Sequence, residues 1–105
     1  MNSCVVCIPV AFSKIGLPFN LANLERIKDI FDDFKLVAFY DHVPGENSLK
    51  TLEEFKEKNI IDTTIIKNTQ PRTSQKVINI ANARNGCLKE IKEKYSDYEY
   101  FIVMD

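Results

Sequence analysis

Apolar runs and amphipathic segments alternate along the whole chain. The apolar runs, rich in β-branched residues, lie at positions 5–10, 36–40, 63–66 and 98–104. The first, continuous run predicts a buried strand, and the other three predict further strands. Between them, apolar residues recur three and four positions apart, which predicts helices that begin near Asn20, Ser48 and Ser74. The predicted order of elements is β-α-β-α-β-α-β.

This order predicts a single α/β domain over residues 1–105, a Rossmann-like parallel sheet with helices on both faces. We expect the first strand to be central, in the strand order 3-2-1-4. Sheets of this kind bind ligands in the crevice at the carboxyl ends of their strands. The candidate site therefore comprises the loops after Val10, Asp41 and Lys67, together with Asp105.

Composition and charge exclude several classes of partner. The formal net charge is −1 and charged residues make up 28% of the chain, so we expect no nucleic-acid partner and no attraction to an anionic membrane. No apolar run is long enough to span a bilayer. The apolar start of the chain has no preceding Lys or Arg, so we expect no secretory signal. We therefore expect a cytoplasmic location.

The cysteine pattern supports the same compartment. The chain has 3 cysteines, Cys4, Cys7 and Cys87, and an odd number argues against a disulfide framework and fits a reducing environment. Cys4 and Cys7 form a C-x-x-C within a predicted strand, where residues three apart point to opposite faces. We therefore expect core cysteines rather than a redox pair.

Arg84 is the least expected residue of the predicted third helix. At about 100° per residue it falls in the middle of an apolar arc. That arc contains Val77, Ile80, Ala81, Cys87, Leu88, Ile91 and Tyr95. A guanidinium there needs a carboxylate, a carbonyl, or the phosphate or base of a ligand as its partner. A side chain that reaches out to solvent and a structural ion pair are the alternatives, and the geometry leaves all three open.

Two strands end in an acidic residue at the edge where ligands bind. Asp41 could accept hydrogen bonds from a nucleobase or ribose, or could be an aspartate of the turn. Asp105 could contribute to a divalent-cation site, although one carboxylate does not make one. His42 has no second histidine or acidic partner in evident reach, which favours a loop histidine over a base. Glycine-rich phosphate and dinucleotide motifs, a G-x-S-x-G nucleophile and a Cys/His metal cluster are absent from the sequence.

Four segments, taken in order, carry a family resemblance. The first strand ends in Pro9-Val10, the second in Asp41; segment 80–86 reads Ile-Ala-Asn-Ala-Arg-Asn-Gly, and segment 100–105 is an apolar strand ending in aspartate. In order, these segments resemble four motifs of the GT-A glycosyltransferases, and the resemblance is nearest to the large family-two group. The four motifs are the strand that ends in Pro-Val, the acid that contacts the nucleobase, the Ala-x-Ala-Arg-Asn helix and the strand before the D-x-D. The resemblance covers the whole chain.

The resemblance implies a donor site for a nucleotide sugar. The positions that match the family's donor-binding residues are Pro9, Val10, Ala11, Asp41, Arg84 and Asn85. The first strand end and Asp41 would hold the nucleobase, and Arg84 with Asn85 nearby would contact the base or the diphosphate. Asp105 would be the first acid of the D-x-D, near a Mg²⁺ or Mn²⁺ ion that stabilises the leaving nucleoside diphosphate as a Lewis acid.

The resemblance also implies that parts of the enzyme are missing. The rest of the D-x-D, the acceptor site and any catalytic base would follow Asp105, so we expect a truncated form, a gene fragment or a remnant that is inactive alone. The family often has a second acid where this chain has His42, which leaves the base, the donor sugar and the acceptor undetermined. The alternative function is a non-catalytic fragment or a nucleotide-binding or interaction module. An exposed fourth strand would favour self-association.

Overall fold

The computed structural model describes residues 2–10, 16–40, 48–68 and 76–104, with the backbone alone at residues 16 and 76–80. The strands are β1 (Ser3–Val10), β2 (Asp33–Tyr40), β3 (Asp62–Lys67) and β4 (Tyr100–Val103). The helices are α1 (Gly16–Ile27), α2 (Ser48–Lys58) and α3 (Lys76–Lys94), and a short 3-10 helix at Lys28–Ile30 follows α1. Among the residues described, this is the alternation that the sequence predicts.

The sheet confirms the predicted topology. Its four strands are all parallel, in the order β3-β2-β1-β4, so that β1 is central. The register is regular, with Val10 opposite Tyr40 on β2 and Tyr40 opposite Lys67 on β3. The protein is thus an α/β domain with a Rossmann-like fold.

Two hydrophobic clusters lie on the two faces of the sheet, because alternate residues of a strand point to opposite sides. The larger cluster lies under α1 and α2 and contains Cys4, Val6, Ile8, Val10, Leu17, Leu21, Leu24, Leu36, Ala38, Tyr40, Leu52, Phe55 and Ile61. The smaller cluster lies under α3 and contains Val5, Cys7, Val37, Phe39, Ala83, Cys87 and Ile91. Among the described residues, the α3 face of the sheet therefore has the smaller core.

Helix α1 begins earlier than the sequence pattern predicts. It starts at Gly16 rather than near Asn20 and has Pro18 in its first turn, where a missing backbone N–H costs nothing. Phe31 and Phe34, which continue the helical periodicity, lie instead after the 3-10 helix and in β2, where their rings stack with centroids 5.5 Å apart. Directly after α2, Asn59 has a φ of 55°, a left-handed conformation that ends a helix.

Polar side chains join the strands at the amino edge of the sheet. The Tyr98 hydroxyl donates a hydrogen bond to Asp33, and Lys35 Nζ lies 2.6 Å from Asp62 Oδ2 and 3.6 Å from Asp33 Oδ1. Burial and the hydrogen bond to Asp33 raise the pKa of Tyr98. The hydrogen bond to Asp62 raises the pKa of Lys35. These contacts tie the turn before β4 to the start of β2, so we assign this edge a structural role.

The cysteines differ from the expectation in one respect. Cys7 and Cys87 form a disulfide between β1 and α3, with Cα atoms 5.8 Å apart and a sequence separation of 80. The expectation of no disulfide is therefore wrong, because an odd count only requires that one cysteine stays free. That cysteine is Cys4, whose pKa is raised by burial. Cys4 and Cys7 lie in different clusters, which confirms that they point to opposite faces and are core residues.

Candidate functional site

The carboxyl ends of the strands form one continuous edge. Val10 and Tyr40 are paired and buried, so β1 and β2 end side by side. At the end of β3, the Asn68 N–H donates to the Tyr40 carbonyl oxygen over 2.8 Å. Pro9, half-buried, and Val10 therefore lie where the sequence predicts a ligand site.

Three of the predicted site residues lie outside the part of the chain that the structure describes. They are Ala11, Asp41 and Asp105, and His42 lies outside it as well. Their roles remain predictions from the sequence. Among the residues that the structure describes, no group of three or more His, Cys, Asp or Glu side chains could hold a metal ion.

Helix α3 runs from the carboxyl edge toward the amino edge. Its last turn is close to Tyr98, since the Tyr95 and Tyr98 rings are 5.2 Å apart and Tyr98 contacts Asp33. Its middle is fixed over β1 by the disulfide at Cys87. Arg84 lies about 4.5 Å along the helix axis from Cys87 toward the carboxyl edge, at a rise of about 1.5 Å per residue. A long side chain at that position can approach the ends of β1 and β2.

The orientation of α3 corrects the interpretation of Arg84. The buried row of the helix is Ala83, Cys87 and Ile91, and Arg84 is exposed beside it. The prediction that Arg84 lies in the middle of the apolar stripe is wrong, because the disulfide turns Cys87 directly toward the sheet. Ala81, expected on the stripe, is exposed as well. Arg84 is thus an exposed arginine close to the carboxyl edge, and its burial does not require a ligand as its partner.

A groove of about 430 Å³ runs between α3 and the β2–β3 side of the sheet. Phe39 and Ile66 form its apolar floor, and the carboxamides of Asn68, Asn82 and Asn85 line it. Of the predicted donor-binding residues that the structure describes, Asn85 lines this groove, whereas Pro9, Val10 and Arg84 do not. Asn68 and Asn82 carry no signal in the sequence that predicts a site, because amides on a helix or after a strand are usually solvated.

Gly86 sets the depth of the groove. A Cβ at this position would lie 2.2 Å from Cε2 of Phe39, so only glycine lets the helix approach the ring this closely. In the sequence, Gly86 is visible only as a glycine inside a helical pattern. Such a glycine can be needed for close packing or can simply be tolerated by the helix, and the pattern alone does not distinguish the two.

The charges of the groove balance each other. Among the described residues, two lysines and two glutamates line it, Lys67, Lys89, Glu90 and Glu93. Glu90 Oε1 also lies 2.7 Å from Lys94 Nζ. A site with balanced charge and several amides offers both donors and acceptors without a strong field. Its chemistry suits an uncharged polar group, such as a nucleobase or a sugar, better than a bare anion.

The fold and the site define an α/β domain with a Rossmann-like parallel sheet and a polar groove beside its ligand-binding edge. No family model, curated protein or solved structure matches this chain. In the part of the chain that the structure describes, no helix is both long enough and apolar enough to cross a membrane. The function must therefore be argued from the residues and their geometry.

Proposed function

We propose that this chain is the donor-binding part of a glycosyltransferase-like protein that transfers a sugar from a nucleoside diphosphate to an acceptor. The observation that supports it best is the strand order β3-β2-β1-β4 with α3 starting at the carboxyl edge. In this arrangement three of the resembling segments converge on the carboxyl edge. They are the end of β1, the end of β2 and the part of α3 that carries Arg84. Such a convergence is what a nucleotide site at a parallel sheet requires.

In this proposal the chemistry is divided among a few side chains. The backbone of Pro9, Val10 and Ala11 and the carboxylate of Asp41 contact the nucleobase. The guanidinium of Arg84 makes a charge-assisted hydrogen bond to the base or the diphosphate, the stronger kind of hydrogen bond. The Asn85 carboxamide, which lines the groove, contacts an adjacent polar group.

A divalent cation belongs to the same proposal. Mg²⁺ and Mn²⁺ take oxygen ligands, usually from one or two carboxylates, substrate phosphates and water. Asp105 supplies one such carboxylate, and the ion would stabilise the leaving diphosphate as a Lewis acid. The chain alone is expected to be catalytically silent, because one carboxylate holds such an ion poorly.

The cytoplasmic location expected from the cysteine count also stays a proposal. Disulfides are rare in the cytosol because glutathione and thioredoxin keep thiols reduced. A cytosolic form of this chain would hold Cys7 and Cys87 as a disulfide only if their complete burial protects them. The redox state of this pair is therefore a property to be measured.

The second candidate function is a non-catalytic interaction module. It is favoured by β4, whose residues from Tyr100 to Val103 are all exposed although all are apolar or aromatic. An open apolar edge strand is a template for pairing with another chain. We propose that this edge allows self-association, whichever of the two functions holds.

The proposed function is tested by titrating the chain with UDP, GDP, ADP and CDP in the presence of Mg²⁺ and following the backbone amides by NMR. We expect at least one nucleotide to shift the amides of Val10, Arg84 and Asn85. Amides of the amino edge, such as Lys35, serve as an internal control and should not move. Absence of any shift at the carboxyl edge with all four nucleotides would leave the interaction module as the better account.

A donor-hydrolysis assay with Mn²⁺ adds an independent test of the catalytic part. The 105-residue chain should give no turnover above the rate without protein. Turnover by this chain alone would show that a second acid and an acceptor half are not needed, contrary to the proposal.

A further inference from the structure

The attachment of α3 to the sheet depends on very few side chains. Of its described side chains, at positions 81–94, only Ala83, Cys87 and Ile91 are buried against the sheet. By contrast, α1 and α2 together bury large side chains, namely Leu17, Leu21, Leu24, Leu52 and Phe55. The described part of α3 buries one large apolar side chain, Ile91, where α1 buries three and α2 two. Because hydrophobic stabilisation scales with the apolar area buried, this part of α3 gains less from large side chains than α1 or α2 does.

Both flanks of α3 are also open. On one side lies the groove, whose floor is Phe39 and Ile66. On the other side lie Phe101 and Val103, which pair with Val5 and Cys7 and therefore share their face of the sheet. They are 60% and 36% exposed, so α3 does not cover them. Among the described helices and strands, those in close contact with α3 are β1 and β2. Movement of α3 away from the sheet therefore need not displace another described helix.

The one covalent link between α3 and the sheet lies at the centre of this contact. Cys7 is on the central strand β1, and Cys87 is one residue after Gly86 and three after Arg84. The link therefore positions the groove wall and the arginine of the proposed donor site at the same time. Cys4 cannot substitute for either partner, since it is buried on the opposite face under α1 and α2.

We infer that the Cys7–Cys87 disulfide is a redox-sensitive link that holds α3 against the sheet, and that its reduction by a dithiol loosens α3 and opens the groove. A thiolate of the dithiol attacks one sulfur, the Cys7–Cys87 bond breaks, and a mixed disulfide forms. The second thiol of the reductant then displaces the protein sulfur. The two cysteines end as thiols with two protons, and the dithiol ends as a cyclic disulfide, oxidised by two electrons.

The complete burial of both sulfurs sets how this reaction proceeds. A reductant reaches them only when α3 opens locally. At high reductant concentration the reduction rate should therefore become independent of that concentration and equal the rate at which α3 opens. Reoxidation by a small disulfide reverses these steps: one protein thiolate forms a mixed disulfide with the oxidant, the second protein thiolate displaces the oxidant's thiol, and α3 is held against the sheet again. As a control of α3 docking the inference stands alone, whereas as a control of nucleotide binding it rests on the proposed function.

The test is amide hydrogen exchange on the oxidised chain and on the chain reduced with dithiothreitol, at a temperature where circular dichroism shows both to be folded. We expect exchange in segment 83–91 to accelerate by at least about tenfold on reduction, while β2 and α2 change far less. Cys4→Ala should behave as the unmodified chain. Cys7→Ala/Cys87→Ala should exchange rapidly in α3 with or without dithiothreitol.

The outcomes separate cleanly. If α3 exchange is unchanged when thiol titration finds all three cysteines free, or if exchange rises uniformly in every element, the inference is overturned. If the double variant fails to fold, the reduced chain decides the matter, since it carries the same broken link.

Calorimetry adds a second readout, in which nucleotide affinity should fall at least about tenfold on reduction. Loosening of α3 with no nucleotide binding in either state would overturn the proposed function and leave the redox link standing. Loosening with equal affinity in both states would overturn the link's control of the site.

Discussion

At the scale of single residues, Gly86 shows how one missing side chain sets the site. The residue lies between the exposed Asn85 and the buried Cys87 and faces the ring of Phe39. Any side chain there would have to displace a nearly buried aromatic ring, since a core of native density has no room to spare. The same ring gives the groove its floor, so the packing of α3 and the shape of the groove depend on one position.

Replacing Gly86 with alanine tests this contact. We expect Gly86→Ala to destabilise the chain, because overpacking costs about 1–3 kcal/mol, while the better helix propensity of alanine returns only about 1 kcal/mol. Urea denaturation measures the change in unfolding free energy. Asn85→Ala, on the next, exposed position, is the matched control and should stay within about 0.5 kcal/mol.

A double variant shows whether the Phe39 ring causes the effect. Phe39→Leu shortens the side chain, so adding it to Gly86→Ala should cost less than the sum of the two single changes. Simple additivity, or a Gly86→Ala variant more stable than the parent chain, would show that the helix does not approach the ring this closely.

The amino-edge network predicts a pH dependence. The folded chain raises the pKa of Tyr98, through burial and its bond to Asp33, and that of Lys35, through its bond to Asp62. Both groups thus hold their protons more tightly when folded. Their contribution to stability is complete below about pH 10 and is lost as the pH rises further.

Urea denaturation between pH 8 and pH 11.5 measures this dependence. The unfolding free energy should fall above about pH 10, and the fall should be smaller in Tyr98→Phe, which keeps the ring but has no titrating hydroxyl. An equal fall in Tyr98→Phe and in the parent chain would assign the effect to other groups. Lys35→Met isolates the second contribution.

At the scale of elements, the strands follow from the sequence more directly than the helices do. A continuous apolar run such as 36–40 has few alternatives to a buried strand, and alternation with helices then imposes a parallel order. The helix faces are less determined. On α3 the apolar residues span such a wide arc that periodicity placed Arg84 at its centre, although the buried row is Ala83, Cys87 and Ile91.

The reason for that difference is a contact between distant parts of the chain. The rotation of α3 is fixed by a bond to a residue 80 positions away and by the fit of Gly86 against Phe39. Neither contact leaves a local periodic signal. The same holds for the groove amides Asn68 and Asn82, which become neighbours only when β3 and α3 are brought together by the sheet.

At the scale of the whole molecule, the sheet has two unlike edges. Near β3, Lys35 and Asp62 form an ion pair across the strands, and Lys67 lies at the strand end. At β4, Phe101 is 60% exposed, and the strand is paired only on its β1 side among the residues described. Charged side chains protect an edge from pairing with other chains, and apolar ones do not.

The open edge predicts concentration-dependent self-association. We expect sedimentation velocity to show an oligomer that grows with protein concentration, and Phe101→Lys to shift the equilibrium toward monomer, since a lysine on an edge strand opposes pairing. Phe19→Lys is the matched control, because Phe19 is 70% exposed but lies on α1. Equal suppression by both variants would point to general loss of apolar surface, and a monomer at all concentrations would refute the edge pairing.

The central claim for the whole molecule is that its carboxyl edge binds a nucleoside diphosphate with Arg84 as a contact. The most direct measurement is calorimetric titration of the oxidised chain, Arg84→Ala and the control Lys92→Ala with the nucleotide that binds best, in the presence of Mg²⁺. Lys92 is exposed on the same helix, two turns nearer the amino edge. We predict that Arg84→Ala weakens binding by about 1.5–3 kcal/mol, the effect of a lost hydrogen bond to a charged group, and that Lys92→Ala leaves it unchanged. Equal affinity of Arg84→Ala and the parent chain, or no binding of any nucleoside diphosphate, would contradict the account.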